Sequence, residues 1–152
     1  MFWLRNKADE TPPRILFLDD DPERARAFRE VCPEAAWVET VEACLEKLAE
    51  PWDEVHLDHD LGGEVFVDRG RPDCGMEVVR WLVAEARPHL RSCRFVVHSH
   101  NPEAACIMAW TLRMQGYRVE ERPFGTTTGA VESEEPKPRW LDAIRRRFRG
   151  RP

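Results

Sequence analysis

The chain has 152 residues, 42% of them hydrophobic and 34% charged, with a net charge of −5; this is the balance of one globular domain large enough to bury a core. No apolar run is long enough to span a bilayer, and Met1-Phe2-Trp3-Leu4-Arg5 is too short and too soon charged for a signal peptide. Cys32, Cys44, Cys74, Cys93 and Cys106 form no CxxC pair and no zinc-finger spacing, so they read as reduced thiols of a cytoplasmic protein, several of them core filler.

Residues 1–13 read as an N-terminal extension and 14–150 as a single domain without repeats or linkers. Arg14-Ile15-Leu16-Phe17-Leu18 is a short apolar run that stops at Asp19-Asp20-Asp21-Pro22. It predicts a buried central strand followed by a helix, with Asp21 as cap and Pro22 at the first helical position. That helix carries Ala25, Phe28 and Cys32 at helical spacing and ends near Pro33. Ala36-Trp37-Val38-Glu39 predicts a second, weaker strand. Thr40 then caps a helix with Val41, Cys44, Leu45 and Leu48 on one face, closed by Pro51. Asp53 to Asp58 is the third strand.

A long loop follows from Leu61 to Cys74, with Gly62-Gly63, Gly70 and a flap-like Val65-Phe66-Val67. Gly75 opens an amphipathic helix with Val78, Val79, Leu82, Val83 and Ala86, stopped at Pro88. Arg94 to Ser99 is the fourth strand, and Asn101-Pro102 caps a helix carrying Ala105, Met108 and Leu112 that ends at Gly116. Tyr117 to Glu121 is an edge-like fifth strand leading into Arg122-Pro123-Phe124. A polar loop, Gly125 to Lys137, precedes a last helix with Leu141, Ile144 and Phe148 on one face. Residues 137–152 hold seven basic residues and one acid, about +6, which leaves about −11 on the rest. The acidic body argues against broad nucleic-acid binding; the basic tail could touch phosphates, but a solvated helix face is the favoured reading.

Five strands alternating with five helices predict an α/β fold: a doubly wound, five-stranded parallel sheet with right-handed crossovers and helices on both faces. Ligands of such sheets bind outside the carboxyl ends of the strands, where the strand order switches. The unusual residues fall at those ends. Asp19, Asp20 and Asp21 end the first strand, Asp58, His59 and Asp60 the third, His98, Ser99, His100 and Asn101 the fourth, and Arg122 the fifth. Packed carboxylates repel one another and resist ionisation unless a cation neutralises them. A hard divalent ion, Mg²⁺ or Mn²⁺, with oxygen ligands answers that need. His56, His59, His98 and His100 flank the same edge, where imidazoles ligate metals or carry protons near neutral pH. Asp21 needs no role beyond capping, His56 lies one pleat deeper and fits a buried supporting histidine, and His89 fits a surface turn.

These residues resemble the receiver domain of two-component response regulators, over roughly Arg14 to Phe148. The resemblance implies a flavodoxin-like receiver fold with strand order 2-1-3-4-5. It places the acidic pair on Asp19 and Asp20, the phosphoacceptor on Asp58, and a metal-holding main-chain carbonyl on Asp60. The phosphoryl-contacting hydroxyl falls on Ser99, and the Lys-Pro-Phe motif on Arg122-Pro123-Phe124, with arginine where lysine is expected. The loop after Asp58 is longer than a receiver's and carries Gly62 where a proline is usual, so it is a candidate lid.

His56-Leu57-Asp58-His59-Asp60 followed by His98-Ser99-His100-Asn101 is similar to a divergent branch, the cyclic-phosphate processing receiver domains. That resemblance implies metal-dependent hydrolysis of a cyclic phosphodiester such as a nucleoside or RNA-terminal cyclic phosphate. Asp19, Asp20, Asp58 and Asp60 would hold the metal. His98 and His100, which share a face if the fourth strand extends that far, would serve with His59 as acid and base, while Ser99 and Arg122 contact the phosphoryl oxygens. Two alternatives stand beside it. One is a phosphoacceptor or pseudo-receiver module that signals to a protein partner. The other is a non-catalytic module that binds nucleotides or nucleic-acid ends.

Overall fold

A computed structural model describes residues 11–122. The expectations for residues 1–10, for Pro123-Phe124, for the last helix with Leu141, Ile144 and Phe148, and for the basic tail lie outside the described residues.

The chain alternates β1 (Ile15–Leu18), α1 (Pro22–Val31), β2 (Ala36–Val38), α2 (Val41–Lys47), β3 (Glu54–Leu57), α3 (Gly75–Ala84), a short 3₁₀ turn (Pro88–Leu90), β4 (Arg94–Val97), α4 (Pro102–Met114) and β5 (Arg118–Glu121). All strand pairings are parallel and the order is β2-β1-β3-β4-β5, the predicted flavodoxin-like arrangement. Among the described residues no helix is long and apolar enough to cross a membrane.

The helix starts follow from local chemistry. Asp21 accepts from the backbone N–H of Glu23 (2.8 Å) and Arg24 (3.3 Å), with Pro22 behind it. Thr40 accepts from Ala43 N–H, and Asn101 from Ala104 N–H with Pro102 following. Each cap satisfies an N–H that the first turn leaves without a partner.

Strand parity sorts the core into two layers. Leu16, Leu18, Val55, Leu57, Phe95 and Val97 point to one face and pack with Val41 and Cys44 of α2, Val78, Val79 and Leu82 of α3, and Ala105, Met108 and Leu112 of α4. Ile15 and Phe17 point to the other and meet Ala25 and Phe28 of α1, the Phe17 and Phe28 rings stacked at 4.3 Å. Each fully buried Leu, Val or Phe contributes roughly 1.5–3 kcal/mol by leaving water. Helices therefore cover both faces, and the carboxyl ends of β1, β3, β4 and β5 emerge together at one edge. The five cysteines are free thiols, four buried and Cys106 exposed.

Candidate functional site

The site is a row set by strand register. Leu18, Leu57, Val97 and Glu121 lie side by side across β1, β3, β4 and β5. The backbone pairing continues one residue further. Asp58 N–H bonds Leu18 C=O, His98 N–H bonds Leu57 C=O, and Arg122 N–H bonds Val97 C=O. Asp19, Asp58, His98 and Arg122 thus stand at one height across the edge of the sheet. Their parity is that of Phe17, His56, Val96 and Glu120, so they share the face covered by α1.

Three carboxylates gather here. Asp19, Asp20 and Asp58 each offer an oxygen within 4.8 Å of the others. Asp19 and Asp58 are buried and Asp20 is partly exposed, so the cluster has one open side. Arg24, on the first turn of α1, points back over the cluster. Its Nε and Nη2 grip Asp19 Oδ2 and Oδ1 at 2.9 and 2.7 Å, and Nη2 also donates to Asp58 Oδ2 at 3.0 Å. The same Nη2 lies 3.7 Å from Asp20 Oδ1. Asp20 in turn accepts from Gly63 N–H at 2.5 Å, which fastens the long loop to the acid cluster.

Environment separates the carboxylates. Burial opposes ionisation of Asp19, but His98 and Arg24 outweigh it and hold the carboxyl below the usual range. At Asp58 burial dominates, Asp19's charge adds to it, and the carboxyl is pushed up to about 6 despite His98 and Arg24. A hard cation with oxygen ligands fits this donor set, because it would lower the cost of keeping Asp58 charged. A guanidinium nitrogen of Arg24 already stands among oxygens of the same three residues.

The histidines do not act alike. β4 ends at Val97, short of the extent that would have put His98 and His100 on one strand face. His98 is 1% exposed, its ring stacked on Phe17 at 4.9 Å and its Nε2 directed to Asp19 Oδ2 at 3.1 Å. His100 is exposed beyond the strand, near Arg24 and Asp19, with burial and the Arg24 charge holding its imidazole below the ordinary range. His56 is buried one pleat deeper, as parity required, and pairs with Glu54 at 2.7 Å. Burial pushes it down to about 4.

A second polar group lies beside the first. His59 is buried and its Nδ1 donates to Asp60 Oδ1 at 2.7 Å, while Cys74 also flanks the ring. Burial works against protonating His59, but Cys74 and Asp60 outweigh it and raise its imidazole above the ordinary range. The Asp60 carboxylate does not join the acid cluster. It accepts from Phe66 N–H (2.7 Å) and Val67 N–H (3.1 Å), anchoring a loop in which Gly62, Gly63 and Phe66 have φ of 77°, 75° and 52°. Any part Asp60 takes in metal binding falls to its main-chain carbonyl. Ser99 Oγ accepts from Asn101 N–H at 3.1 Å. Arg122 pairs with Glu120 through Nε and, at 2.9 Å, through Nη2, and among the described residues no acidic-cluster carboxylate is its ion-pair partner.

Sequence reasoning missed Arg24, Glu54 and the loop-anchoring carboxylate of Asp60. Arg24 had a legible signal. It is four residues after Asp20 on a helix that starts at Pro22, and helical side chains lean toward the N-terminus, here toward the acids.

Residues 14–114 match the family of cyclic-phosphate processing receiver domains. Curated protein sequences yield no match. Among solved structures, the Mn²⁺-bound form of response regulator Rcp1 is similar at 17% identity and a TM-score of 0.54, over 76% of this chain and 84% of that one. The BeF₃-activated DrrB receiver domain is similar at 18% identity and a TM-score of 0.53, over 93% of this chain and all of that one. At these identities the two structures establish the fold alone, and the family match covers about two thirds of the sequence. The chain belongs to the cyclic-phosphate processing receiver domain family.

Proposed function

We propose that this domain is a metal-dependent phosphoesterase that opens a cyclic phosphodiester, a nucleoside or RNA-terminal cyclic phosphate being the substrate class. The observation that carries the reading is the set of carboxylate oxygens from Asp19, Asp20 and Asp58, with His98 bonded to Asp19 and the exposed imidazole of His100 close enough to feel the Asp19 and Arg24 charges. Asp19, Asp20 and Asp58 would hold Mg²⁺ or Mn²⁺, with Asp60 contributing its main-chain carbonyl. The bound ion supplies charge neutralisation and Lewis acidity toward a phosphoryl oxygen. His98 holds the Asp19 carboxylate in place. His100 is the group open enough to take a proton from water or give one to the leaving alkoxide.

His59, locked between Asp60 and Cys74, shapes the loop that Gly63 ties to Asp20. Ser99 and Arg122 remain the proposed phosphoryl contacts, for which Arg122 must leave Glu120. Membership of the cyclic-phosphate processing family supports a phosphoester substrate, and the Mn²⁺-bound form of the similar response regulator Rcp1 supports the choice of ion. Metal-stripped protein incubated with Mn²⁺ or Mg²⁺ and a panel of 2′,3′-cyclic nucleotides tests the proposal. Metal-dependent monoester product, lost in Asp58→Ala, is expected. Equal yields from wild type and Asp58→Ala would sink it.

A phosphoacceptor role is the second reading, and the buried Asp58 beside two further acids favours it. A beryllofluoride or acetyl phosphate titration that modifies Asp58 stably, without ester turnover, would select it.

A further inference from the structure

We infer that Arg24 is the resident cation of the acid cluster and that a divalent metal binds there only by displacing its guanidinium. The inference rests on reading Asp19, Asp20 and Asp58 as a cation site, and not on ester hydrolysis. One nitrogen, Nη2, lies 2.7 Å from Asp19 Oδ1, 3.0 Å from Asp58 Oδ2 and 3.7 Å from Asp20 Oδ1. These three residues are the ones whose oxygens come within 4.8 Å of one another. Nε takes the second oxygen of Asp19, so that carboxylate is held by a two-point fork.

A metal at the same oxygens would face a positive charge at contact distance. It would also have to break charge-assisted hydrogen bonds, each stronger than a neutral one. Both effects favour exchange over coexistence. The arginine is the more movable member of the group: it sits on the first turn of α1 with a side chain 21% exposed, whereas the backbones of Asp19 and Asp58 are hydrogen-bonded to Val38 and Leu18 at the strand ends. Asp21 offers the departing guanidinium a nearby partner, its Oδ2 lying 3.4 Å from Nη1.

The consequence is a threshold. Apparent metal affinity equals intrinsic affinity multiplied by the fraction of molecules with Arg24 withdrawn. If that fraction is about one tenth or less, removing the guanidinium tightens binding on the order of tenfold or more. The domain would then stay folded and neutralised in low metal without collapsing its acid cluster.

Isothermal titration of metal-stripped wild type, Arg24→Gln and Arg24→Lys with MnCl₂ at low ionic strength tests this. Arg24→Gln should bind Mn²⁺ at least about tenfold more tightly than wild type, with Arg24→Lys between them because its point charge lacks the fork. A second readout needs no variant. The Arg24 Nε–H resonance of the wild type should shift on Mg²⁺ titration, with the same midpoint as the calorimetric curve. Equal or weaker Mn²⁺ binding by Arg24→Gln, or an Nε–H resonance unmoved at saturating Mg²⁺, overturns the displacement. Absence of Mn²⁺ binding by wild type and both variants overturns it together with the cation site.

Discussion

Replacing Gly75 by alanine tests how the site is held to the sheet. Gly75 opens α3 where the helix backs onto the end of β3. A Cβ there would lie 2.0 Å from the Asp58 carbonyl oxygen and 2.9 Å from both the Asp58 carbonyl carbon and the His59 Cα. These are backbone atoms that no rotamer change can move. Ordinary contact begins at 3.4 Å, so helix and strand end must part by about 1.4 Å along that approach. The same movement stretches the 2.9 Å bond from Gly75 N–H to His59 C=O.

Overpacking of this kind costs about 1–3 kcal/mol, and the weakened hydrogen bond adds about 1 kcal/mol. Helix propensity favours alanine by up to about 1 kcal/mol, less at a first helical position than in an interior. The balance predicts a loss of about 2–3 kcal/mol in urea denaturation followed by circular dichroism, with weaker Mn²⁺ binding because Asp58 shifts. Gly70→Ala is the control. Its nearest neighbour is the Asp68 side-chain carboxylate at 2.9 Å, which can swing away, so its cost stays under about 1 kcal/mol. A Gly75→Ala protein as stable as wild type would refute the steric argument.

Three further predictions concern buried titratable groups. With EDTA present at pH 7, Asp58→Asn should be more stable than wild type, by at most about 3 kcal/mol at 1.36 kcal/mol per pKa unit. Burial raises this carboxyl from 3.8 to about 6, so the native state binds the extra proton and loses stability as pH rises through that window. Denaturant melts of the two proteins give the difference. In the Asp58→Asn background, stability should rise from pH 4 to 6.5, because His56 sits near 4 when folded against 6.5 when unfolded and the unfolded chain binds the proton. That contribution, roughly 3 kcal/mol, is complete above pH 6.5 and lost toward pH 4. A flat profile there would contradict a neutral buried His56. Iodoacetamide at pH 8 should alkylate the exposed Cys106 and spare Cys44 and Cys93, which burial pushes up to about 12; peptide mass mapping reads this directly.

Much of the frame was legible because local and long-range signals agree. Asp21-Pro22, Thr40 and Asn101-Pro102 mark helix starts by chemistry alone, and apolar runs ending in Asp19, Asp58 and His98 mark the strand ends. Period-two parity then carries Asp19, Asp58 and His98 to one face, and places His56 one pleat below. Parity fails where a strand stops. β4 ends at Val97, so the relation between His98 and His100 depends on a turn whose dihedrals no alternation encodes.

Long side chains were the other blind spot. Arg24 and Arg122 each have several acids within reach, and only the folded geometry decides that Arg24 takes Asp19 and Asp58 while Arg122 takes Glu120. The loop after Asp58 was visible as an insertion. Its anchoring by Asp60 was not, because the carboxylate holds backbone N–H groups six and seven residues away.

The central claim, a metal-dependent esterase on a receiver frame, is tested most directly by a ³¹P NMR time course. Metal-stripped protein is mixed with a 2′,3′-cyclic nucleotide and acetyl phosphate, and Mg²⁺ is then added. The account predicts that the cyclic diester signal converts to monoester only after Mg²⁺, in wild type and not in Asp58→Asn. A cyclic diester signal that stays constant while an acyl phosphate builds up on Asp58 would contradict it.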